Sequence, residues 1–273
     1  MRNFTLRKGF LESKCGTRSS LKGFVMLVVM MLMTASSAMA QEAKFEVIDG
    51  LRYLLDTGAK TATLMSKTDG LYSGDIIIPE KVKGNDGVEY VVTLLGASCF
   101  SGCWGLTSIT IPSSVTSLGD YCFYYCSGLT SITIPSSVTS LGDDCFEGCS
   151  GLTSITIPPL VTSLSDCCFF SCSGLTSITI PSSVTSLGYD CFSDCKNLET
   201  VYFKGKKCDS NYKDLKIPTT SIIKVPKEYL QEYKEAFGSD YQYIFAWNPD
   251  EQEKITSQLL HVPLQPFLTN LEN

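Results

Sequence analysis

Four nearly identical 23-residue stretches follow one another without a gap: GLTSITIPSSVTSLGDYCFYYCS from Gly105, GLTSITIPSSVTSLGDDCFEGCS from Gly128, GLTSITIPPLVTSLSDCCFFSCS from Gly151 and GLTSITIPSSVTSLGYDCFSDCK from Gly174. A unit this short cannot enclose a core, so each copy must bury its apolar side chains against its neighbours, and the chain must stack into a solenoid. Leu106, Ile109 and Ile111 recur as Leu129, Ile132 and Ile134, as Leu152, Ile155 and Ile157, and as Leu175, Ile178 and Ile180. The period of two at the end of that run predicts a short strand with one buried face. Pro112, Pro135, Pro158 and Pro181 stop the strand, because proline has no amide hydrogen to give to a ladder. Val115 and Leu118, with their counterparts in each copy, form the return side of the coil. Gly119, Gly142 and Gly188 then turn the chain, with Ser165 standing in once, into a predicted one- to two-turn helical piece that carries Phe123, Phe146, Phe169 or Phe192.

The pattern loosens toward both ends, as capping coils require. Val92, Leu95 and Phe100 sit one period ahead of their counterparts, and NLETVYF from Asn197 supplies a last strand. The expected division is a signal segment at 1–40, an N-terminal hairpin cap and irregular first coil at 41–95, the solenoid proper at 96–203, a C-terminal cap at 204–250 closed by an amphipathic helix in VPKEYLQEYKEAFG, and a loose tail at 251–273. The fold class is therefore a mainly β repeat solenoid with short helical turns and capped ends.

Residues 1–40 read as an export signal: six basic residues, the apolar run Phe24 to Met33, and Ala38-Met39-Ala40 before Gln41. The run is too short for a membrane anchor, no cysteine follows it at a lipoprotein position, and no sorting motif is visible, so the expected location is secreted, periplasmic or at the cell surface. Removing this segment takes six of 22 basic residues and one of 28 acidic ones, leaving a net charge near −11. From Ala97 to Cys195 there is no Lys or Arg at all. Nucleic-acid affinity rests on clustered Lys and Arg, so nucleic acid is excluded as a partner for that region.

The repeated LTSITIPSSVTSLGDYCFYYC, with its proline stop, second apolar pair and Phe-x-x-Cys in register, closely resembles the BspA-type leucine-rich repeat, and IKVPKEYLQEYKEAF resembles that family's closing helix. The resemblance covers about residues 45 to 245. It implies an exposed, often adhesive bacterial surface or secreted protein that contacts extracellular proteins of a host or neighbouring cell. One departure stands out: the family usually places Ala before the Phe, and this chain has Cys99, Cys122, Cys145, Cys168 and Cys191 there.

Five Cys-Phe-x-x-Cys units give two cysteine columns. Zinc ligation is disfavoured by the spacing and by the presence of a single histidine, His261, in the tail. A redox pair would need Cys-x-x-Cys. Two structural readings stay open, buried free thiols filling an alanine-sized slot and disulfides between adjacent coils, which export would permit. Catalysis needs a nucleophile with a base, paired carboxylates or a metal in one pocket. None is legible, and Asp143 with Asp144 reads as a solvated turn, so no enzyme, cofactor or metal site is expected.

What remains is surface. Ser108 and Thr110, Ser131 and Thr133, Ser154 and Thr156, and Ser177 and Thr179 point away from the isoleucines and form a hydroxyl ladder on the expected concave sheet. Such a ladder either merely solubilises an outer strand face or docks an extended protein or glycan; ice binding is disfavoured by the Ser-x-Thr rather than Thr-x-Thr order. Aromatic residues that vary between copies, Tyr124 and Tyr125 among them, are the expected source of partner choice. The leading expectation is an interaction module for an extracellular protein or glycan, and the alternative is a structural envelope component without a discrete ligand.

Overall fold

The structure, a computed structural model, describes residues 44–247. The expected export segment and the tail lie outside the described residues. The chain opens with a hairpin of β1 (Lys44–Ile48) and β2 (Leu51–Asp56), closed by Asp49 and Gly50 with φ of 49° and 79°. Two positive φ values in a two-residue turn match the right-handed twist of the flanking strands. β3 (Thr61–Met65) joins the hairpin antiparallel, followed by β4 (Gly74–Ile77) and a second hairpin of β5 (Lys81–Lys83) and β6 (Glu89–Leu95) around the KGNDGVE segment.

From there the coils stack on two parallel ladders. The strand side runs through β4 and β7 (Leu106–Thr110), which pair with each other, and then β9 (Ser131–Ile132), β11 (Ser154–Thr156), β13 (Ser177–Ile180) and β15 (Thr200–Phe203). The return side runs β6, β8 (Ser117–Leu118), β10 (Ser140–Leu141), then β12 (Ser163–Leu164) with β14 (Ser186–Leu187). Equivalent residues face each other one period apart, Ser131 to Ser154 to Ser177 to Thr200 on one side and Leu95 to Leu118 to Leu141 on the other. The Ile, Leu, Val and Phe columns all point inward and are buried. The strand ladder does not stop at Phe203. β16 (Ile222–Pro226) and β17 (Ile244–Trp247) add two further parallel rungs inside the C-terminal cap.

The third side corrects the sequence reading. In place of a helical piece, each coil carries a pair of left-handed residues four apart, Ser98 and Gly102, Tyr121 and Tyr125, Asp144 and Gly148, Cys167 and Ser171, Asp190 and Asp194. A left-handed residue breaks the i to i−4 bonding of a helix and turns its amide along the solenoid axis. The amides of Phe100, Phe123, Phe146 and Phe169 accordingly donate to the carbonyls of Cys122, Cys145, Cys168 and Cys191 of the next coil at 2.8 to 3.0 Å.

The phenylalanines form one continuous stack, with ring centroids 5.3, 5.3, 5.6 and 5.9 Å apart from Phe100 to Phe192 and planes within 5° of parallel. Strands pair about 4.8 Å apart. The ring separations exceed that spacing, most at the C-terminal end of the stack. The closing helix, α1 (Leu230–Phe237), begins later than the sequence suggests, because Val225 and Pro226 belong to β16 and pair with Ala246 and Trp247. It ends at Gly238, φ 72°, and packs Tyr233 and Phe237 against Phe203 and Tyr212.

The glycine column at the start of each turn is a matter of space, since Gly142 has no positive φ. A Cβ there would overlap the backbone of Gly119 and Asp120 in the preceding coil. Ser165 occupies the same column, donates to the Leu141 carbonyl at 3.1 Å, and sits where the ring stack has opened from 5.3 Å to 5.6 and 5.9 Å. The column thus tolerates a serine whose hydroxyl is bonded to the preceding coil. Gly142→Ser should cost about 1 kcal/mol, and Gly142→Val more than about 3 kcal/mol, at the upper end of overpacking costs. Urea unfolding of both variants checks the gradient, and equal small effects would show that the coils are not in backbone contact here.

Candidate functional site

The strand face sorts its hydroxyls into two sets. Thr153 donates to the Thr130 carbonyl and Thr176 to the Thr153 carbonyl, each at 3.3 Å, and on the return side Thr116, Thr139 and Thr185 reach back one coil in the same way at 3.3 to 3.4 Å. These threonines hold adjacent coils together. The side chains of Ser131, Thr133, Ser154 and Thr156 are exposed, those of Ser177 and Thr179 half-buried. Among the described residues none of these six hydroxyls is spent on an internal hydrogen bond. Ser108 differs: it and Thr107 both donate to Asp75 Oδ1 at 2.7 Å, and these bonds hold the Asp75 carboxyl below the usual carboxylate range, Ser108 contributing most. Thr110 completes the first rung.

The ladder continues into residues that sequence reasoning missed. Thr179 faces Tyr202 on β15, which faces Lys224 on β16, which faces Phe245 on β17. The threonine column therefore ends in two aromatic rings and a lysine. Trp247, two residues beyond Phe245 on the same face, reaches back over β16 to meet Tyr202 edge to face at 5.0 Å and donates its indole N–H to the Phe203 carbonyl at 3.3 Å. The Lys224 ammonium lies 5.2 Å from the Phe245 ring centroid, and Phe245 stays 46% exposed. Tyr202 was legible from its place in NLETVYF. The strands IIKVP and YIFAW lack the preceding Leu-x-x-Ile, so their outward residues carried no periodic signal.

Tyr124 and Tyr125 lie on the turn side, away from the hydroxyl ladder. Tyr125 is exposed and stands 4.6 Å from Tyr124, which in turn meets Tyr121 at 5.6 Å. Burial, then the nearby Glu147 carboxylate, pushes the Tyr124 phenol up. The carboxylates of Asp120, Asp143, Asp144, Asp166 and Asp190 follow the same side, and burial raises the Asp144 carboxyl. Among the described residues no group of three metal-ligating side chains converges.

The two cysteine columns are buried and carry free thiols. Their second members are hydrogen-bonded: Cys126, Cys149, Cys172 and Cys195 donate Sγ–H to the carbonyls of Phe100, Phe123, Phe146 and Phe169 at 3.0 to 3.1 Å. An open cavity of about 360 Å³ beside α1 is lined by Lys207, Ser210, Asn211, Tyr212, Glu232 and Glu235. Its serine accepts from the Leu187 amide at 2.8 Å. No histidine stands among the described residues to act as its base.

Residues 93–227 match the description "BspA type Leucine rich repeat region" in six copies. A leucine-rich repeat protein from Bacteroides ovatus is similar at 24% identity and a TM-score of 0.50, over 68% of this chain and 56% of that one. The leucine rich repeat protein of T. pallidum is similar at 18% identity and a TM-score of 0.53, over 77% of this chain and 99% of that one. These likenesses are of fold alone, and this chain spans just over half the length of the Bacteroides ovatus protein. No curated protein matches the chain. The 23-residue period, the two parallel ladders and the stacked phenylalanines coincide with the matched span, and through it the chain belongs to the BspA-type leucine-rich repeat family.

Proposed function

We propose that this protein is an exported interaction module that holds an extracellular protein or glycan on its strand face. One observation carries the reading: along β9, β11 and β13 the outward hydroxyls are uncharged, regularly spaced and unspent on the scaffold, whereas the neighbouring Thr153 and Thr176 are committed to it. The apolar columns are used up in stacking. Repeat solenoids bind through extended surfaces of this kind. The basic, apolar and Ala-Met-Ala segments in residues 1–40 support export, and no helix among the described residues is long and apolar enough to cross a membrane. Exported material should begin at Gln41 on N-terminal sequencing, and recovery of only full-length chain from the cytoplasm would remove export from the proposal.

Binding is tested by presenting the exported chain to arrays of extracellular proteins and glycans. Lysines introduced together at Thr133 and Thr156 should abolish capture of whatever binds, with the melting temperature nearly unchanged, since exposed substitutions shift stability by less than about 0.5 kcal/mol. Retained binding in that variant, with loss on substitution of Tyr124 or Tyr125, would move the working surface to the turn side. Absence of any ligand would favour the structural envelope reading.

A further inference from the structure

We infer that the C-terminal end of the strand face is a carbohydrate platform, in which Tyr202, Phe245 and Trp247 stack on the sugar rings of a neutral oligosaccharide whose chain runs on along the hydroxyl ladder. This rests on the binding reading above and names its ligand class. The three rings are held in place before any ligand arrives. Trp247 is fixed by its N–H bond to the Phe203 carbonyl and by edge contact with Tyr202, and Phe245 by the Lys224 side chain beside it. Phe245 is 46% exposed, and Ile222 and Tyr243 beside it are 38% and 48% exposed, so the apolar surface is open rather than consumed by the core. A ring face carries negative quadrupole density and attracts the C–H bonds on one face of a pyranose, while Tyr and Trp keep a polar edge for the sugar hydroxyls.

Charge and shape select a neutral sugar over a protein strand or an anionic polymer. From Thr130 to Thr179 the outward face of the strands has no charged residue; Asp75, occupied by Thr107 and Ser108, flanks it at one end and Glu199, next to Thr176, at the other. Among the described residues of β7, β9, β11, β13, β15, β16 and β17 an anionic polymer would find one ammonium, Lys224, already set against Phe245. A protein partner would need an apolar anchor seated in a desolvated pocket at the centre of the interface. The centre of this face is flat hydroxyl, and its aromatic residues lie at one end. Ligand sites of mixed character bind through aromatic surface with a few placed polar groups that fix orientation. Here a paired Ser and Thr recur once per coil, about 4.8 Å apart, comparable to one pyranose unit of an extended chain.

The test uses the full exported chain with Trp104→Phe, which leaves Trp247 as its single tryptophan. Cellohexaose, mannohexaose, xylohexaose, maltohexaose and N-acetylchitohexaose are titrated while Trp247 emission is recorded, with a hexagalacturonate as the charged control. At least one neutral hexasaccharide should shift the emission saturably, and the hexagalacturonate should not. Tyr202→Ala and Phe245→Ala should each weaken binding by about tenfold or more, and Thr156→Lys likewise. Tyr202→Phe keeps the contact with Trp247 and should bind within about threefold of the parent, which separates loss of the platform from loosening of the last rungs. Calorimetry replaces fluorescence for Trp247→Ala, where binding should disappear. Silence toward all five neutral sugars, or binding indifferent to both Tyr202→Ala and Phe245→Ala, overturns the inference. If the sugars are silent while a protein ligand is lost on lysine substitution at Thr133 and Thr156, the carbohydrate platform falls and the binding function stands.

Discussion

Raising the pH from 8 to 10 in the presence of reductant should unfold this protein. Eight thiols, those of Cys122, Cys126, Cys145, Cys149, Cys168, Cys172, Cys191 and Cys195, are fully buried, and burial pushes every one of them upward, Cys195 to about 12. In the unfolded chain each ionises near 8.5. Because the folded pKa is raised, the contribution to stability is whole below the unfolded value and is lost as pH rises from there toward the folded value. Each thiol removes about 1.4 kcal/mol per pH unit once the unfolded form is ionised. By pH 10 that is about 2 kcal/mol for one thiol and on the order of 16 kcal/mol for eight, against a typical total stability of about 5 to 15 kcal/mol. Circular dichroism against pH should show a cooperative loss of structure between about pH 9 and 10, and alanine at Cys145 and Cys168 together should move the midpoint upward. A chain still folded at pH 10.5 would mean that the columns are not buried thiols. At neutral pH the ten Cys-Phe-x-x-Cys thiols should resist iodoacetamide in the folded protein and react without reductant once it is denatured. Thiols that stay blocked would restore the inter-coil disulfide reading.

The repeat made most of the scaffold readable before any coordinates. Period two in Leu-x-x-Ile-x-Ile gave the buried strand face, the proline gave its stop, and tandem identity gave the parallel in-register stack, because residues 23 apart have no other way to be covered. The turn side was misread for a physical reason. Asp-Tyr-Cys-Phe-Tyr-Tyr-Cys has helical spacing of apolar residues, yet Tyr121 and Tyr125 take left-handed conformations that residue type does not announce. Their cost, about 1 to 2 kcal/mol each for a non-glycine residue, is offset by amides that bond to the next coil, and such bonds exist only once the stack has formed.

The candidate site was half legible for a related reason. Ser131, Thr133, Ser154 and Thr156 could be placed on the outer face from alternation alone. Which hydroxyls are free could not, because Thr130 and Ser131 are neighbours of similar chemistry, and only the coil-to-coil geometry puts the Thr130 column, and not the Ser131 column, within reach of a backbone carbonyl. The aromatic end was out of reach for sequence reasoning because Lys224 and Phe245 enter the threonine column from strands separated by a 3-10 turn and a helix. Fold register, not sequence spacing, brings them to Tyr202.

Phe146→Ala should remove about 3 to 5 kcal/mol, the range for truncating a buried aromatic side chain. Phe146 is fully buried between Phe123 at 5.3 Å and Phe169 at 5.6 Å, with planes 4° from parallel on both sides, so its loss leaves a void that touches two interfaces. In a solenoid, stability is a sum of coil and nearest-neighbour interface terms, and an interior coil contributes to two of the latter. Phe100 invites the expectation of a smaller cost, being nearer the cap. The structure removes the ground for it: Tyr72 covers the outer face of Phe100 at 5.1 Å, and Phe100 is as buried as Phe146. Phe100→Ala should therefore cost the same, and urea unfolding of the two variants should give midpoints that coincide. A cost below about 1 kcal/mol at Phe146 would contradict the assigned register, since no fully buried ring in a close-packed stack is removed so cheaply. The consequence extends to binding. The ring stack sets the spacing of the coils on the turn side, the coils carry Thr133 and Thr156 on the other side, and a stack collapsed at Phe146 should weaken any ligand that spans both rungs in chains that remain folded.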